Sequence, residues 1–283
     1  MDVSIIIPTY NGGELLKKTL KAIFAQETAK SFEVVIIDSG SKQDPKQLLE
    51  EFSIELFEIP NHEFNHGLTR DRAAEKSSGE FLIFINQDAE PGDRQWLDLM
   101  LAPFADEHVV AVQGGIRERH DMRRFFWDSC GETFYFTSES KNWISHHFNM
   151  GFSTVNAAIR RSKWQQHPFG KMEIFEDKGF QRAVHLNGNE IVYSDGFVYH
   201  THDYTYDQLR RRCQDEGYGW RLVGESYTIW QAIEDTFILK NYTKLARGIL
   251  NGKVKRWSEV LFPLLRPLWV YKGNHFNQGL LKK

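Results

Sequence analysis

Ser78-Gly-Glu-Phe-Leu-Ile-Phe-Ile-Asn-Gln-Asp-Ala89 is the stretch on which the fold turns. Five consecutive apolar residues, Phe81 to Ile85, read as a strand buried on both faces, the pattern of a parallel sheet covered by helices. The run stops abruptly at Asn86-Gln87-Asp88, which places a carboxylate at the mouth of a buried strand. The same grammar occurs twice earlier. Val3 to Pro8 is an apolar run followed by the turn signal Asn11-Gly12-Gly13, and Phe32 to Ile37 ends at Asp38-Ser39-Gly40-Ser41. Between them Leu15, Leu16, Leu20, Ile23 and Phe24 recur at helical spacing, with lysines on the other face. Further strands are predicted at 54–59, 109–113, 155–160, 190–193 and 197–200, and helices at 67–78, 94–103 and near 173–187. From residue 205 onward the pattern is helical. This alternation implies an α/β fold, a mostly parallel, doubly wound, Rossmann-like sheet with right-handed crossovers, followed by a helical C-terminal extension.

Composition bounds the rest. The 283 residues are 41% hydrophobic and 26% charged, ordinary values for a globular chain able to bury most of its apolar surface. A net charge of −3 argues against a nucleic-acid binder held by phosphate neutralisation, so no nucleic-acid partner is expected. Cys130 and Cys213 are too few and too far apart for a disulfide framework; reduced thiols of a cytosolic protein are expected. The opening Met-Asp-Val-Ser-Ile-Ile-Ile-Pro reads as a buried strand rather than a leader, and no apolar stretch approaches the roughly 18 residues a membrane span needs. Aromatics reach 14%, with 8 Trp and 21 Phe, which suits an aromatic core and also sugar or base stacking. At 115–150 the rhythm breaks into arginines (Arg117, Arg119, Arg123, Arg124) and a dense aromatic set (Phe125, Phe126, Trp127, Phe134, Tyr135, Phe136), where a partly mobile loop or short helices are expected.

Ligands of an open α/β sheet gather beyond the carboxyl ends of the strands, at the switch point of strand order. Three strand ends here carry polar residues where a nucleotide would lie: Pro8-Thr9-Tyr10-Asn11, Asp38 to Ser41, and Gln87-Asp88. Each alone is an ordinary strand-end turn; three in succession suggest a site. Asp38 can accept the imide N–H of uracil or thymine, and Tyr10 can flank the base. Asp88, with two diphosphate oxygens, can hold Mg²⁺ or Mn²⁺, and a metal or cations are what a departing nucleoside diphosphate requires. His200 and His202 alternate on a predicted strand and so point to opposite faces, which leaves His200 as the candidate neighbour of the metal. Arg211, in the run Arg210-Arg211-Arg212, can reach a diphosphate, although a solvated helix face explains the run as well. His66 and Arg160 are weaker candidates for the donor and acceptor sides.

The motifs Ile5-Ile-Ile-Pro8-Thr-Tyr10-Asn11, Val34-Val-Ile-Ile-Asp38-Ser-Gly-Ser41, Ser78 to Ala89 and Phe175-Glu176-Asp177 resemble those of family 2 glycosyltransferases of GT-A fold. Phe64-Asn-His66-Gly67-Leu-Thr69-Arg70, Gln87-Asp88-Ala89, Phe152 to Arg160 and Val198-Tyr-His200-Thr-His202-Asp-Tyr204 are similar to the rhamnosyltransferase-like branch. The resemblance covers residues 3–215. It implies that Asp38 binds a pyrimidine base and that Arg70 lies in a segment touching the nucleotide. It further implies that Asp88 is the last aspartate of the Asp-X-Asp motif, with Asn86 and Gln87 departing from its acidic pattern. Asp177 would be the base of an inverting transfer, with Glu176 as the fallback, since an inverting reaction needs one carboxylate to take the acceptor hydroxyl's proton. On residues alone, the pair also reads as the acidic opening of an amphipathic helix.

These readings predict an inverting glycosyltransferase that moves a sugar from a nucleoside diphosphate sugar, dTDP-rhamnose first and a UDP-hexose next, to a hydroxyl of a cell-surface polysaccharide or lipid-linked saccharide. The competing readings are a sugar-nucleotide pyrophosphorylase, for which Asn11-Gly12-Gly13-Glu14 lacks the basic glycine-rich loop, and a non-catalytic nucleotide-binding protein. Residues 1–225 are expected to form the catalytic domain. Residues 226–283, in which basic and aromatic side chains interleave, are expected to form a helical extension that rests on anionic lipid at the cytoplasmic face of the membrane, or a helical hairpin that packs on the catalytic domain or builds a dimer.

Overall fold

The computed structural model describes residues 1–42, 50–129 and 137–280. Cys130, Phe134, Tyr135 and Phe136 lie outside the described residues. The chain divides into two units. Met1–Glu118, Met150–Met172 and Glu176–His200 form a sheet unit, and Arg119–Asn149, Glu173–Phe175 and Thr201–Lys283 form a helical unit.

The sheet has eight strands: β1 (Val3–Thr9), β2 (Phe32–Asp38), β3 (Glu55–Glu58), β4 (Phe81–Ile85), β5 (Glu90–Pro91), β6 (Val109–Arg117), β7 (Asn156–Arg160) and β8 (Glu190–Tyr199). Their spatial order is β3-β2-β1-β4-β7-β6-β8-β5. The first four run parallel, with Ile6 opposite Val35 on one side and Phe84 on the other. From β1 the chain returns through α1 (Gly13–Phe24) to β2 on one flank, and from β3 through α2 (His66–Lys76) to β4 on the other. The carboxyl ends of β1 and β4 therefore bound the switch point. Val3, Ile5, Ile6 and Ile7 are fully buried, as are Leu82 to Ile85, so helices or loops cover both faces and the apolar runs need not alternate.

Beyond β4 the sheet departs from the expected parallel run. β7 is antiparallel to both β4 and β6, so the sheet is mixed. The two strands predicted at 190–193 and 197–200 are one. Ser194-Asp195-Gly196 reads as a turn, but the register slips there from Gln113–Tyr193 to Gly115–Phe197, a bulge held by Ser194 Oγ donating to the Leu99 carbonyl at 2.7 Å. Two-residue β5 had no signal at all. The helix predicted near 173–187 begins only at Glu176 (α7, Glu176–Leu186, after α3 at Trp96–Leu101, α4 at Phe126–Ser129, α5 at Ser138–His146 and α6 at Arg161–Gln166). Phe175 has φ +64, a left-handed backbone that cannot continue a helix.

The helical unit consists of α4, α5, α8 (Tyr206–Leu222), α9 (Ile229–Thr236), α10 (Leu239–Leu250) and α11 (Trp257–Phe276). α8 and α11 cross at glycine. A Cβ on Gly217 would lie 2.0 Å from the Val270 carbonyl oxygen, and one on Gly273 1.8 Å from that of Gln214. Alongside, fully buried Arg266 pairs with Glu216 at 2.6 Å and meets the free thiol of Cys213 at 3.1 Å. The arginine-aromatic segment is anchored to α11 by buried Glu259, which accepts from Arg123 and from the Phe126 amide, while its carbonyl accepts from the Trp127 indole. No helix among the described residues is long and apolar enough to cross a membrane.

Candidate active site

The switch point is closed by one side chain. Gln87 Oε1 accepts from Thr9 Oγ1 (2.6 Å) and the Tyr10 amide (2.9 Å), and its Nε2 donates to the Tyr10 carbonyl at 3.2 Å. An acid at this position would have no donor for that carbonyl, so Gln87 clamps the Pro8-Thr9-Tyr10 turn to the end of β4. Asn11, at φ +50, completes the turn, its amide donating to Ser41 Oγ at 2.7 Å. Asp38 is buried at the end of β2. Its Oδ2 accepts from the Gly40 and Ser41 amides (3.0 and 2.8 Å), and its Oδ1 from Ser41 Oγ at 2.5 Å. Oδ1 retains capacity for one further donor.

Past Gln87, Asp88 Oδ1 stands 3.3 Å from His200 Nε2 at the end of β8. One carboxylate oxygen and one imidazole nitrogen at this spacing can occupy adjacent positions of a six-coordinate cation, whose neighbouring ligands lie about 3 Å apart. The mixed O/N donor set suits Mn²⁺ better than Mg²⁺. These residues fit a divalent cation.

The third cluster is built on α2. Asn65 caps the helix by accepting from the Leu68 amide at 3.0 Å. Gly67 packs so closely that a Cβ would lie 2.2 Å from the Gly170 carbonyl oxygen, and one turn on Arg70 reaches inward. Its guanidinium lies 3.2 Å from Glu176 Oε1 on α7 and 3.4 Å from Asn86 Oδ1 at the end of β4. Arg70 thus joins the turn that carries Asp88 to the helix start that carries the Glu176-Asp177 pair. Glu176 also accepts from Thr154 Oγ1 at 3.0 Å. Asp177 accepts from the Lys178 amide at 2.7 Å and lies 3.4 Å from Lys178 Nζ, which donates to the Phe152 carbonyl.

The two carboxyls respond oppositely to this setting. Burial opposes charge on Glu176, but Arg70, His66 and its hydrogen bonds outweigh it and hold the group below the usual carboxylate range. Burial pushes Asp177 up, Lys178 only partly offsets it, and the neighbouring Glu176 charge adds to the rise. Phe175, left-handed and aromatic, directly precedes them; such strain costs on the order of 1–3 kcal/mol and tends to sit at functional sites.

A family model described as glycosyl transferase family 2 matches residues 4–167, more than half of the chain. The chain belongs to that family. It is 31% identical over 227 residues, covering 76% of this chain and 70% of the relative, to the O-antigen chain rhamnosyltransferase WbaN of Salmonella anatum. Among solved structures it is similar to the mannosyltransferase PcManGT of Pyrobaculum calidifontis in complex with GDP-Man and Mn²⁺, with TM-score 0.63, 17% identity and coverage of 98% of this chain and 87% of that one. It is similar also to S. aureus TarS 1-349 in complex with UDP-GlcNAc, with TM-score 0.57, 18% identity and coverage of 97% and 89%. At such identities the structural likeness is one of fold, and the fold is that of GT-A glycosyltransferases.

With the family in hand, the predicted residues sort by position. Pro8, Tyr10, Asp38, Gln87 and Asp88 all lie at the carboxyl ends of parallel strands, with Arg70, Glu176 and Asp177 joined to them through Asn86. Arg211 is on α8, in the helical unit. Arg160 sits at the other end of the sheet, opposite Phe81, where it donates to the Phe104 and Val109 carbonyls. β8 ends at Tyr199, so the alternation argument that separated His200 from His202 has no strand to act on. Sequence reasoning gave no role in the site to Thr154, Lys178 or Asn86. Only the strand-end position of Asn86 signalled it; Thr154 and Lys178 act through a loop contact that carries no period.

Proposed function

We propose that the chain transfers one sugar, with inversion, from a nucleoside diphosphate donor to a hydroxyl of a cell-surface polysaccharide or lipid-linked saccharide. The observation that carries this reading is the Arg70 bridge, which links the metal-competent strand end to the carboxylate pair. dTDP-rhamnose is the first donor to test, on the likeness to WbaN, and a UDP-hexose the second.

In this reading the pyrimidine lies between Tyr10 and Asp38, whose Oδ1 takes the imide N–H. Pro8 and Gln87 fix the turn against which the nucleotide rests. A divalent cation at Asp88 and His200 would neutralise charge on the departing diphosphate. Asp177 takes the proton of the acceptor hydroxyl as that oxygen bonds to the anomeric carbon. The bond from that carbon to the diphosphate oxygen breaks on the opposite face, and the diphosphate leaves with the electron pair. Of the two acids, Asp177 suits this task. Glu176 is committed to Arg70 and Thr154 and holds its charge too firmly to accept a proton, so it is the positioning residue that keeps α7 and β4 in register.

Thermal shifts with dTDP, UDP and GDP, each with and without Mn²⁺, test the site. A pyrimidine diphosphate should stabilise the protein, by about 2.7 kcal/mol at a hundred times its Kd, and Mn²⁺ should add to the shift in the wild type but not in Asp88→Ala. Equal shifts by all three nucleotides, or a Mn²⁺ increment that survives Asp88→Ala, would refute it.

A further inference from the structure

The last part of the helical unit differs in charge from the rest of the chain. Residues 237–280 carry eight lysines and arginines and one acid, Glu259, a net of +7 in a chain whose total is −3. Glu259 and Arg266 are both fully buried, Arg266 paired with Glu216, so the surface of this segment carries the other seven basic residues and no acid.

The same segment leaves large apolar groups in water. Leu250 is 84% exposed, Trp257 80%, Leu239 74% and Phe237 73%. Their placement follows a helix. On α10, Asn241, Leu245 and Gly248 are buried and mark the inner face. At about 100° per residue, Leu239, Ala246 and Leu250 fall within roughly 40° of one another on the opposite side, and Lys240 and Arg247 border that stripe. The connection to α11 then adds Lys253 and Lys255 and ends on Trp257. A solvent-facing helix that puts leucine outward, with basic residues along one flank, inverts the usual pattern of a surface helix.

We propose that this face of the helical unit, the outer stripe of α10 and the turn leading to Trp257, docks on an anionic lipid surface. The leucines and Trp257 enter the headgroup boundary, and the lysines meet acidic headgroups. A second copy of the chain fits less well, because pairing this face with itself would bring two strongly positive patches together. The contact is peripheral, since no helix among the described residues can span.

The test is sedimentation of the full chain with vesicles of phosphatidylcholine alone and of phosphatidylcholine mixed with phosphatidylglycerol. The wild type should bind the mixed vesicles, bind the neutral ones far more weakly, and be released by salt. Lys253→Gln with Lys255→Gln should lower the partition coefficient roughly 25-fold, at about fivefold per lysine. Leu250→Asn with Trp257→Asn should abolish the binding that survives salt, and both doubles should keep the wild-type thermal midpoint, because these side chains are exposed. Equal binding to both vesicle types, no binding to either, or a dimer in solution that the Leu250 and Trp257 changes dissolve would overturn the proposal.

Discussion

Asp177 and Glu176 are adjacent, yet burial and neighbours drive their carboxyls in opposite directions, and that division fixes what a pH profile should show. If Asp177 is the base, kcat/KM should rise with pH through an ionisation above the ordinary aspartate range, and Lys178→Met should move that ionisation higher still by removing the cation that offsets burial. A profile flat from the ordinary aspartate pKa upward would assign the proton elsewhere. Glu139 on α5 makes a separate prediction. Both of its oxygens are buried without a hydrogen-bond partner, and burial, with the charges of Glu225, Glu216 and Asp235, pushes it up to about 8. A folded-state pKa above the unfolded one means that stability is complete at acid pH, below the ordinary glutamate value, and is lost as pH rises toward 8. The loss is on the order of 3–5 kcal/mol. Glu139→Gln should therefore match the wild type at pH 4 and melt higher at pH 8; equal midpoints at pH 8 would show that the carboxyl is not buried uncharged.

At the scale of elements, two contacts hold geometry that burial alone would not specify. Arg70 ties α2, β4 and α7 together from a buried position, and removing one partner of a buried ion pair leaves the other uncompensated. Arg70→Met should cost about 3–5 kcal/mol in unfolding free energy. Much of that should return in Arg70→Met/Glu176→Gln, which no longer strands the charge; a double variant as unstable as the sum of the singles would mean that the two residues are not coupled. In the helical unit, Gly217 leaves no room for a methyl between α8 and α11. Gly217→Ala should lower stability by at least about 1–3 kcal/mol, read from the denaturation midpoint. An unchanged midpoint would show that the helices do not touch there. The elements also show where sequence is legible. Phe81 to Ile85 and Ile5 to Ile7 announced themselves because both faces of a central strand are buried and these runs are unbroken apolar. Ser194-Asp195-Gly196 misled because a bulge uses the same small polar residues as a turn. The late start of α7 was invisible because an aromatic residue at positive φ has no composition signature.

For the molecule as a whole, sequence reached the sheet's parallel half, the strand ends and the carboxylate pair, because each lies in a short contiguous motif. It did not reach the antiparallel insertion of β7, which depends on a long-range pairing that no local pattern encodes, nor the hand-off from Asn86 through Arg70 to Glu176, which spans three distant segments. It named Gln87 from its place after an apolar strand and did not reach its clamp on the Thr9-Tyr10 turn, which pairs two strand ends far apart in sequence. The central claim is that Asp177 takes the proton during transfer from a nucleoside diphosphate sugar. The most direct measurement is the transfer rate of Asp177→Asn at saturating dTDP-rhamnose against a lipid-linked saccharide acceptor, with the donor-induced thermal shift recorded on the same protein. The expected result is a wild-type thermal shift and a rate lowered by about 10²–10⁴. A rate within a few-fold of the wild type, with donor bound, would contradict it.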